Sequence, residues 1–153
     1  HVYVNSAFER REIPCFLGFI GRMHMVQDDI CTVEERPITP YFMGQYTDVV
    51  VAHQWALDLN YIYFENLYGN YPLVHNSPML RDAGVGYSYE GYDAYDGSRA
   101  LVEAIEHYDI DFEAHKKANQ AFLKTISPSN SENVKIYAQL LDDVLHDRNM
   151  IDV

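Results

Sequence analysis

The feature that most constrains the fold is a strand–helix–strand pattern in residues 48–77. A β-branched run at residues 48–52 predicts a buried strand, and residues 59–68 repeat apolar side chains at helical spacing. Gly69 stands where a helix commonly ends, and Pro72 opens a second apolar run. In a parallel sheet the residues that follow each strand meet at the carboxyl edge, where ligands bind. The sequence therefore predicts a ligand site at that edge.

Polar and aromatic side chains follow both predicted strands. They are His53, Gln54 and Trp55 after the first strand, and His75, Asn76 and Ser77 after the second. We expect His53, Trp55 and His75 to face one cleft, because each follows a strand by one to three residues. For His75 the alternative is a ring at the end of the strand that is hydrogen-bonded to backbone.

The rest of the chain continues the alternation of strands and helices. Short strands are predicted at residues 2–4, 30–33 and 85–89, and Ser6 with Glu9 forms a capping box for a helix that extends to Met23. That helix meets a proline at Pro14, so the alternative is a shorter helix that stops before it. The last helices are amphipathic, and the final one has the clearest apolar face. The fold class is therefore α/β, with a Rossmann-like, mainly parallel sheet, flanking helices and two helices at the C-terminus.

Length and charge limit the classes of function. A chain of 153 residues suits one domain, residues 1–153, with a substantial core. The formal net charge of −12 argues against direct nucleic-acid contact, which depends on Lys and Arg. No apolar run approaches the roughly 20 residues of a membrane span, and the N-terminus lacks a signal pattern. We therefore expect a cytoplasmic location, with Cys15 and Cys31 as reduced core thiols.

Metal chemistry is an alternative rather than the leading interpretation. The histidines match no common set of metal ligands, and no phosphate loop or nucleophile elbow is present. His53, His75 and Asp82 would nevertheless be close if the loops after the strands converge. A metal-dependent hydrolase is accordingly a second alternative.

Glu65 is the most informative carboxylate. It borders the apolar face of the predicted helix, just before the Gly69 turn. A carboxylate in this position can accept two hydrogen bonds from a vicinal diol such as a ribose. The competing interpretation is a solvated surface side chain.

Residues 64–74, Phe-Glu-Asn-Leu-Tyr-Gly-Asn-Tyr-Pro-Leu-Val, resemble the donor-binding half of GT-B-fold glycosyltransferases. The shared pattern is a helix that ends in Glu-x-x-x-Gly-x-x-Pro, followed by a strand. The strings at residues 53–55, 59–61 and 72–78 are similar to an uncharacterised bacterial and phage branch of that superfamily. The resemblance covers about residues 2–105.

The resemblance implies specific roles. Glu65 would hold the ribose hydroxyls, and the amino end of its helix, near Leu59, Asn60 and Tyr61, would face the diphosphate. Arg36, in the loop after the second strand, would lie near the base. The superfamily commonly has a further Glu eight positions before the ribose Glu. Leu57 stands at that position here, and the adjacent Asp58 is the candidate substitute.

By this resemblance the chain is the donor-binding domain of a glycosyltransferase that transfers a sugar from a nucleotide diphosphate sugar. No resident cofactor or metal is implied, and the nucleotide sugar is the donor substrate. The chain would be a fragment that lacks its first strand and an N-terminal domain, the latter supplying the acceptor side. The alternative from another class is a noncatalytic α/β protein-interaction module.

Overall fold

The computed structural model describes residues 1–5, 13–34 and 38–151. Contacts divide the chain into two compact units, His1–Thr47 and Asp48–Val153. Five strands and eight helices lie within the described residues. All strand pairs formed there are parallel, so the predicted α/β class with parallel strands and flanking helices is confirmed.

The first unit contains a two-stranded parallel sheet. Val2 pairs with Cys31 at the start of the register, and the crossover between the strands contains helices, as parallel pairing requires. Tyr3 packs against Phe42, with ring centroids 5.3 Å apart. The elements of the first unit are β1 (Val2–Asn5), α1 (Ile13–Ile20), α2 (His24–Gln27), β2 (Cys31–Glu34) and α3 (Thr39–Tyr46).

The predicted helix between β1 and β2 is partly wrong. Helix α1 contains Pro14 and continues to Ile20, whereas the alternative of a helix that stops before Pro14 concerns residues that lie mostly outside the described ones. The chain turns after Ile20, and Met23 lies in the bend before α2. The capping box at Ser6 and Glu9 lies outside the described residues. Cys15 and Cys31 are both free thiols, but only Cys31 is buried.

The second unit contains a three-stranded parallel sheet in the order β3-β4-β5. Its strands are β3 (Val50–Ala52), β4 (Leu73–His75) and β5 (Tyr87–Ser88), with Ala52 opposite His75 and His75 opposite Ser88. The central strand β4 is buried along its whole length.

Side chains on the two faces of this sheet enter different cores. On one face Leu73 joins a cluster with Tyr63, Leu67 and Phe122. On the other face Val74 packs with Ala100 and further small and aromatic residues. Helices therefore cover both faces. The helices of the unit are α4 (Tyr61–Gly69), α5 (Pro78–Asp82), α6 (Ala94–His107), α7 (Phe112–Ile126) and α8 (Ser131–Ile151).

Helix α4 ends almost as the sequence predicts, but a different residue makes the turn. Gly69 is the last helical residue, and Asn70 adopts the left-handed conformation with φ 55°. The N–H groups of Asn70 and Tyr71 then bond to carbonyl groups of the last turn. Asparagine tolerates this conformation better than most residues, so it serves as the C-terminal cap.

Helix α8 exposes the apolar face that the sequence predicts. The side chains of Val134, Tyr137, Leu141, Val144 and Leu145 are between 52% and 66% exposed. The helix is joined to the preceding turn through Asn133, whose Nδ2 donates to the carbonyl oxygens of Thr125 and Ser127. Among the described residues, no helix has both the length and the apolar content that crossing a bilayer requires.

We predict that Gly86→Ala destabilises the protein more than Gly84→Ala does. Both glycines have positive φ, 72° and 67°, so each substitution costs roughly 1–2 kcal/mol in backbone strain. A Cβ at Gly86 would also lie 2.8 Å from both His75 Cδ2 and the Leu73 carbonyl oxygen, whereas Gly84 has open space around it. This overpacking adds roughly 1–3 kcal/mol. Denaturant unfolding of the two variants measures the difference, and equal losses would contradict the close packing at Gly86.

Candidate functional site

The carboxyl ends of β3, β4 and β5 form one edge of the sheet in the second unit. The segments that leave this edge are residues 53–60, 76–77 and 89–93. In open α/β sheets such an edge is the usual place for a ligand. Two cavities lie here, and both are bordered by these segments.

The side chain of Asn76 ties the three segments together. Its Oδ1 accepts from the backbone N–H of Gln54 at 2.9 Å, and its Nδ2 donates to the carbonyl oxygen of Gln54 at 2.8 Å. The same Nδ2 donates to the carbonyl oxygen of Gly91 at 3.1 Å. Because both ends of the amide are used, Asn76 positions the edge of the site through these bonds.

The first cavity has a volume of about 220 Å³. Ala56 bends the loop after β3 with a positive φ of 48°, which is rare for a residue with a Cβ. Asp58, two residues on, is the one charged side chain among the described residues that line the cavity. The cavity is lined by Gln54, Ala56, Leu57, Asp58, Tyr63, Asn76, Ser77, Pro78 and Tyr92.

Tyr63 lies in the first turn of α4 and is completely buried. Its hydroxyl group has no hydrogen-bond partner within the described part of the chain. Burial, with smaller contributions from the nearby Tyr89 and Asp58, raises the pKa of Tyr63 to about 12. The phenol is therefore neutral at physiological pH. Asn66 Oδ1 is a second buried atom that lacks a partner among the described residues, but Asn66 lines neither cavity.

The second cavity, of about 440 Å³, is mainly aromatic and apolar. His53 Nδ1 lies 2.6 Å from the Tyr89 hydroxyl, and the two rings stack with centroids 5.9 Å apart. Burial raises the pKa of Tyr89. Tyr92 contacts His53 and Trp55 edge-on and lines both cavities, while Trp55 is 82% exposed. His53 and Trp55 therefore share a neighbouring ring, but of the two only His53 lines a cavity.

His75 does not share that cleft, so this part of the expectation is wrong. The ring is fully buried, with Nε2 2.8 Å from the Val85 carbonyl oxygen and Nδ1 accepting from the N–H of Ser77 at 3.2 Å. His75 is the last residue of β4, so its side chain lies on the same face as that of Leu73. The alternative prediction, that the ring of His75 is hydrogen-bonded to backbone, is confirmed.

The residues predicted around α4 have different environments. Asn60 caps the helix, with Oδ1 accepting from the N–H of Ile62 at 3.2 Å. Leu59 and Tyr61 are largely exposed, and Glu65 is half-buried on the helix. None of these residues lines either cavity. The predicted position of Arg36 lies outside the described residues.

Ser77 also has a local role. It is buried, and its Oγ accepts from the N–H of Leu80 at 3.4 Å, so that it caps the short helix α5. Ser77 also lines the first cavity. The neighbouring Arg81 does not line that cavity, and its Nη1 pairs with Glu90 at 2.8 Å.

The proposed metal ligands do not come together. Both ring nitrogens of His75 are engaged by backbone groups, and Asp82 pairs with Arg81 at 3.6 Å. Within residues 1–5, 13–34 and 38–151, no group of three His, Cys, Asp or Glu side chains is arranged to hold a metal ion.

Sequence reasoning missed Tyr63, Tyr89 and Tyr92 as site residues. Tyr89 and Tyr92 follow β5, but the strand predicted at residues 85–89 contains Tyr89, so the rule for carboxyl ends would have found only Tyr92. Tyr63 lies within an apolar helical repeat, where an aromatic side chain indicates core packing. No feature of the sequence distinguishes it from its neighbours.

We predict that Asn76→Asp destabilises the protein more at pH 7 than at pH 4. The substitution keeps the shape and the acceptor but places a carboxylate against the carbonyl oxygens of Gln54 and Gly91. Losing two donated bonds costs roughly 1–3 kcal/mol. A protonated carboxyl group restores one donor, so the difference from wild type should shrink in acid. Unfolding free energies at both pH values test this, and a pH-independent difference would contradict it.

We also predict that His75 makes folding less favourable in mild acid. Burial is the main cause that lowers the pKa of His75 below its ordinary value of 6.5, and protonated Nδ1 could no longer accept from Ser77. The unfolded chain therefore binds a proton that the folded state resists. The contribution of His75 is complete above about pH 6.5 and is lost as the pH falls towards the folded pKa. His75→Gln should remove this loss, seen as a flatter profile of unfolding free energy between about pH 7 and pH 5. Parallel profiles would contradict the assignment.

Comparison with known proteins places the chain in a family. No curated protein and no solved structure matches the chain. A family model described as "Protein of unknown function (DUF2827)" matches residues 1–141. This match covers most of the 153 residues. The chain therefore belongs to DUF2827, a family of proteins of unknown function.

Proposed function

We propose that this chain is the donor-binding part of a glycosyltransferase that transfers a sugar from a nucleotide diphosphate sugar. The observation that carries the proposal is a cavity at the carboxyl edge of a parallel sheet, bordered by the first turn of α4. Nucleotides bind at this position in many α/β sheets. The resemblance of residues 64–74 to the GT-B donor site supports the same class.

The amino end of α4 is suited to the diphosphate. Asn60 engages the N–H groups of Ile62 and Tyr63 through its side chain and its carbonyl oxygen. Within the described chain, the N–H of Tyr61 has no such partner and remains for a phosphate oxygen. The positive end of the helix dipole adds to this attraction.

Glu65 and Tyr63 are two residues apart on α4, so they point roughly 200° apart around the helix. A donor that reaches both must therefore cross the amino end of α4. In this proposal the ribose lies beside Glu65, the diphosphate at the helix end and the sugar at the cavity. In this proposal Gln54, Trp55 and His53 form the outer wall of the site.

The proposal also covers partners and location. A separate N-terminal domain would supply the acceptor side and the groups that act in catalysis, because the described residues that line the first cavity include the carboxylate of Asp58 and no cation. The free thiols of Cys15 and Cys31 are in keeping with a cytoplasmic location.

A noncatalytic protein-interaction module is the second candidate. The exposed apolar face of α8 favours it, since a face of this kind commonly marks a contact with another protein. Saturation-transfer NMR with UDP-sugars and GDP-sugars separates the two candidates. Saturation of ligand protons supports the donor site, and its absence across the panel favours the module.

We predict that Glu65→Gln weakens nucleotide-sugar binding about 10- to 100-fold and leaves the melting temperature nearly unchanged. A charged hydrogen bond to a ligand diol is worth roughly 1.5–3 kcal/mol, and Glu65 makes no such bond within the described structure. Titration calorimetry with the nucleotide sugar that gives the strongest NMR signal measures the loss. Glu106→Gln, an exposed position on α6, is the matched control and should bind like wild type. Equal affinities of the Glu65 variant and wild type would remove the ribose assignment.

A further inference from the structure

The hydroxyl group of Tyr63 has no structural explanation within the described chain. The ring packs in the core with Leu67 and Leu73 and lies 6.2 Å from the His75 ring, edge to face. A phenylalanine would fill the same space without burying a polar atom that lacks a partner. An unsatisfied hydroxyl normally costs stability, so its presence beside a cavity points to a ligand as the missing partner.

The chemistry of the first cavity restricts that ligand. Asp58 supplies a carboxylate, and no Lys or Arg lies among the described residues that line the cavity, so this described wall repels an anionic group such as a diphosphate. The volume of about 220 Å³ is smaller than the roughly 300–1,000 Å³ typical of sites for drug-sized ligands. A complete nucleotide sugar is therefore too large. A small, uncharged group with several hydroxyls fits both limits.

The remaining walls suit such a group. The hydroxyl of Tyr63 and the carboxylate of Asp58 can bond to hydroxyl groups of a ligand, and Gln54 adds a side-chain amide. Tyr92 offers an aromatic surface to the C–H face of a sugar ring. The backbone of Ala56 is held in a left-handed conformation at the same wall, and strain of this kind clusters at ligand sites.

We propose that the first cavity binds the sugar moiety of the donor and that the Tyr63 hydroxyl forms a hydrogen bond with one of its hydroxyl groups. This inference rests on the proposed function and adds a residue that determines which sugar is accepted. Tyr63 then selects for the sugar, while the amino end of α4 and Glu65 hold the nucleotide.

The test compares Tyr63→Phe with wild type by calorimetry. The probes are UDP and GDP alone, the corresponding sugars UDP-glucose, UDP-N-acetylglucosamine and GDP-mannose, and the free monosaccharides. We expect Tyr63→Phe to bind the preferred nucleotide sugar about 10-fold more weakly and to bind the bare nucleotide like wild type. Its melting temperature should equal or exceed that of wild type, because an unpartnered buried hydroxyl is removed.

Two further variants sharpen the comparison. Tyr68→Phe makes the same chemical change on an exposed side chain of α4 and should leave every affinity unchanged. Asp58→Asn keeps the shape of the wall and should weaken the nucleotide sugar but not the bare nucleotide. Asp58→Asn also tests sugar binding in the first cavity if Tyr63→Phe fails to fold.

The outcomes separate this inference from the proposed function. If UDP or GDP binds but the attached sugar adds no affinity, or if Tyr63→Phe and Asp58→Asn weaken nucleotide and nucleotide sugar equally, the inference is overturned and the donor site stands. If only free monosaccharides bind, and the variants weaken them, the sugar cavity stands and the nucleotide-dependent function falls. If no probe binds, both are overturned.

Discussion

The complete burial of strand β4 is the constraint on which the second unit depends. Leu73 and His75 enter one core and Val74 enters the other, so helices must cover both faces of the sheet. The polar ring of His75 is tolerated there because backbone groups of Val85 and Ser77 satisfy both nitrogens. The strand then leaves the core at Asn76, whose amide joins the loops that follow β3 and β5. One buried strand thus fixes both the core and the edge where the cavities lie.

The sequence predicted the strand–helix–strand unit because its signals are local. Three signals each depend on neighbouring residues alone: the β-branched run that contains β3, the helical repeat of α4 and the position of Gly69. The error at His75 came from a boundary of one residue: the ring belongs to the end of β4, and alternation within a strand turns it inward. The tie made by Asn76 was not predictable, since it depends on carbonyl groups 15 and 22 residues away.

Charge divides the proposed donor site into two parts. The first cavity contains a carboxylate and hydroxyl groups, which favour neutral polar ligands, whereas the amino end of α4 favours an anion. With a net charge of −12 the chain as a whole repels anions, so a diphosphate needs this local positive end or cations from elsewhere. In the proposed function, any further cations would come from a separate domain that also supplies the acceptor side. The division of charge also explains why nucleotide binding and sugar binding are expected to respond to different substitutions.

Two features at the same wall of the first cavity lower the free energy of unfolding. The buried hydroxyl of Tyr63 lacks a partner in the described structure, which costs roughly 1–3 kcal/mol. The left-handed backbone of Ala56 costs roughly 1–2 kcal/mol more. Each is a large fraction of the 5–15 kcal/mol that typically stabilises a folded domain. A phenylalanine in place of Tyr63 and a glycine in place of Ala56 would avoid both of these costs without changing the packing of the core. Local costs that folding does not require are typical of sites where a ligand supplies the compensation, and here they converge on one small cavity.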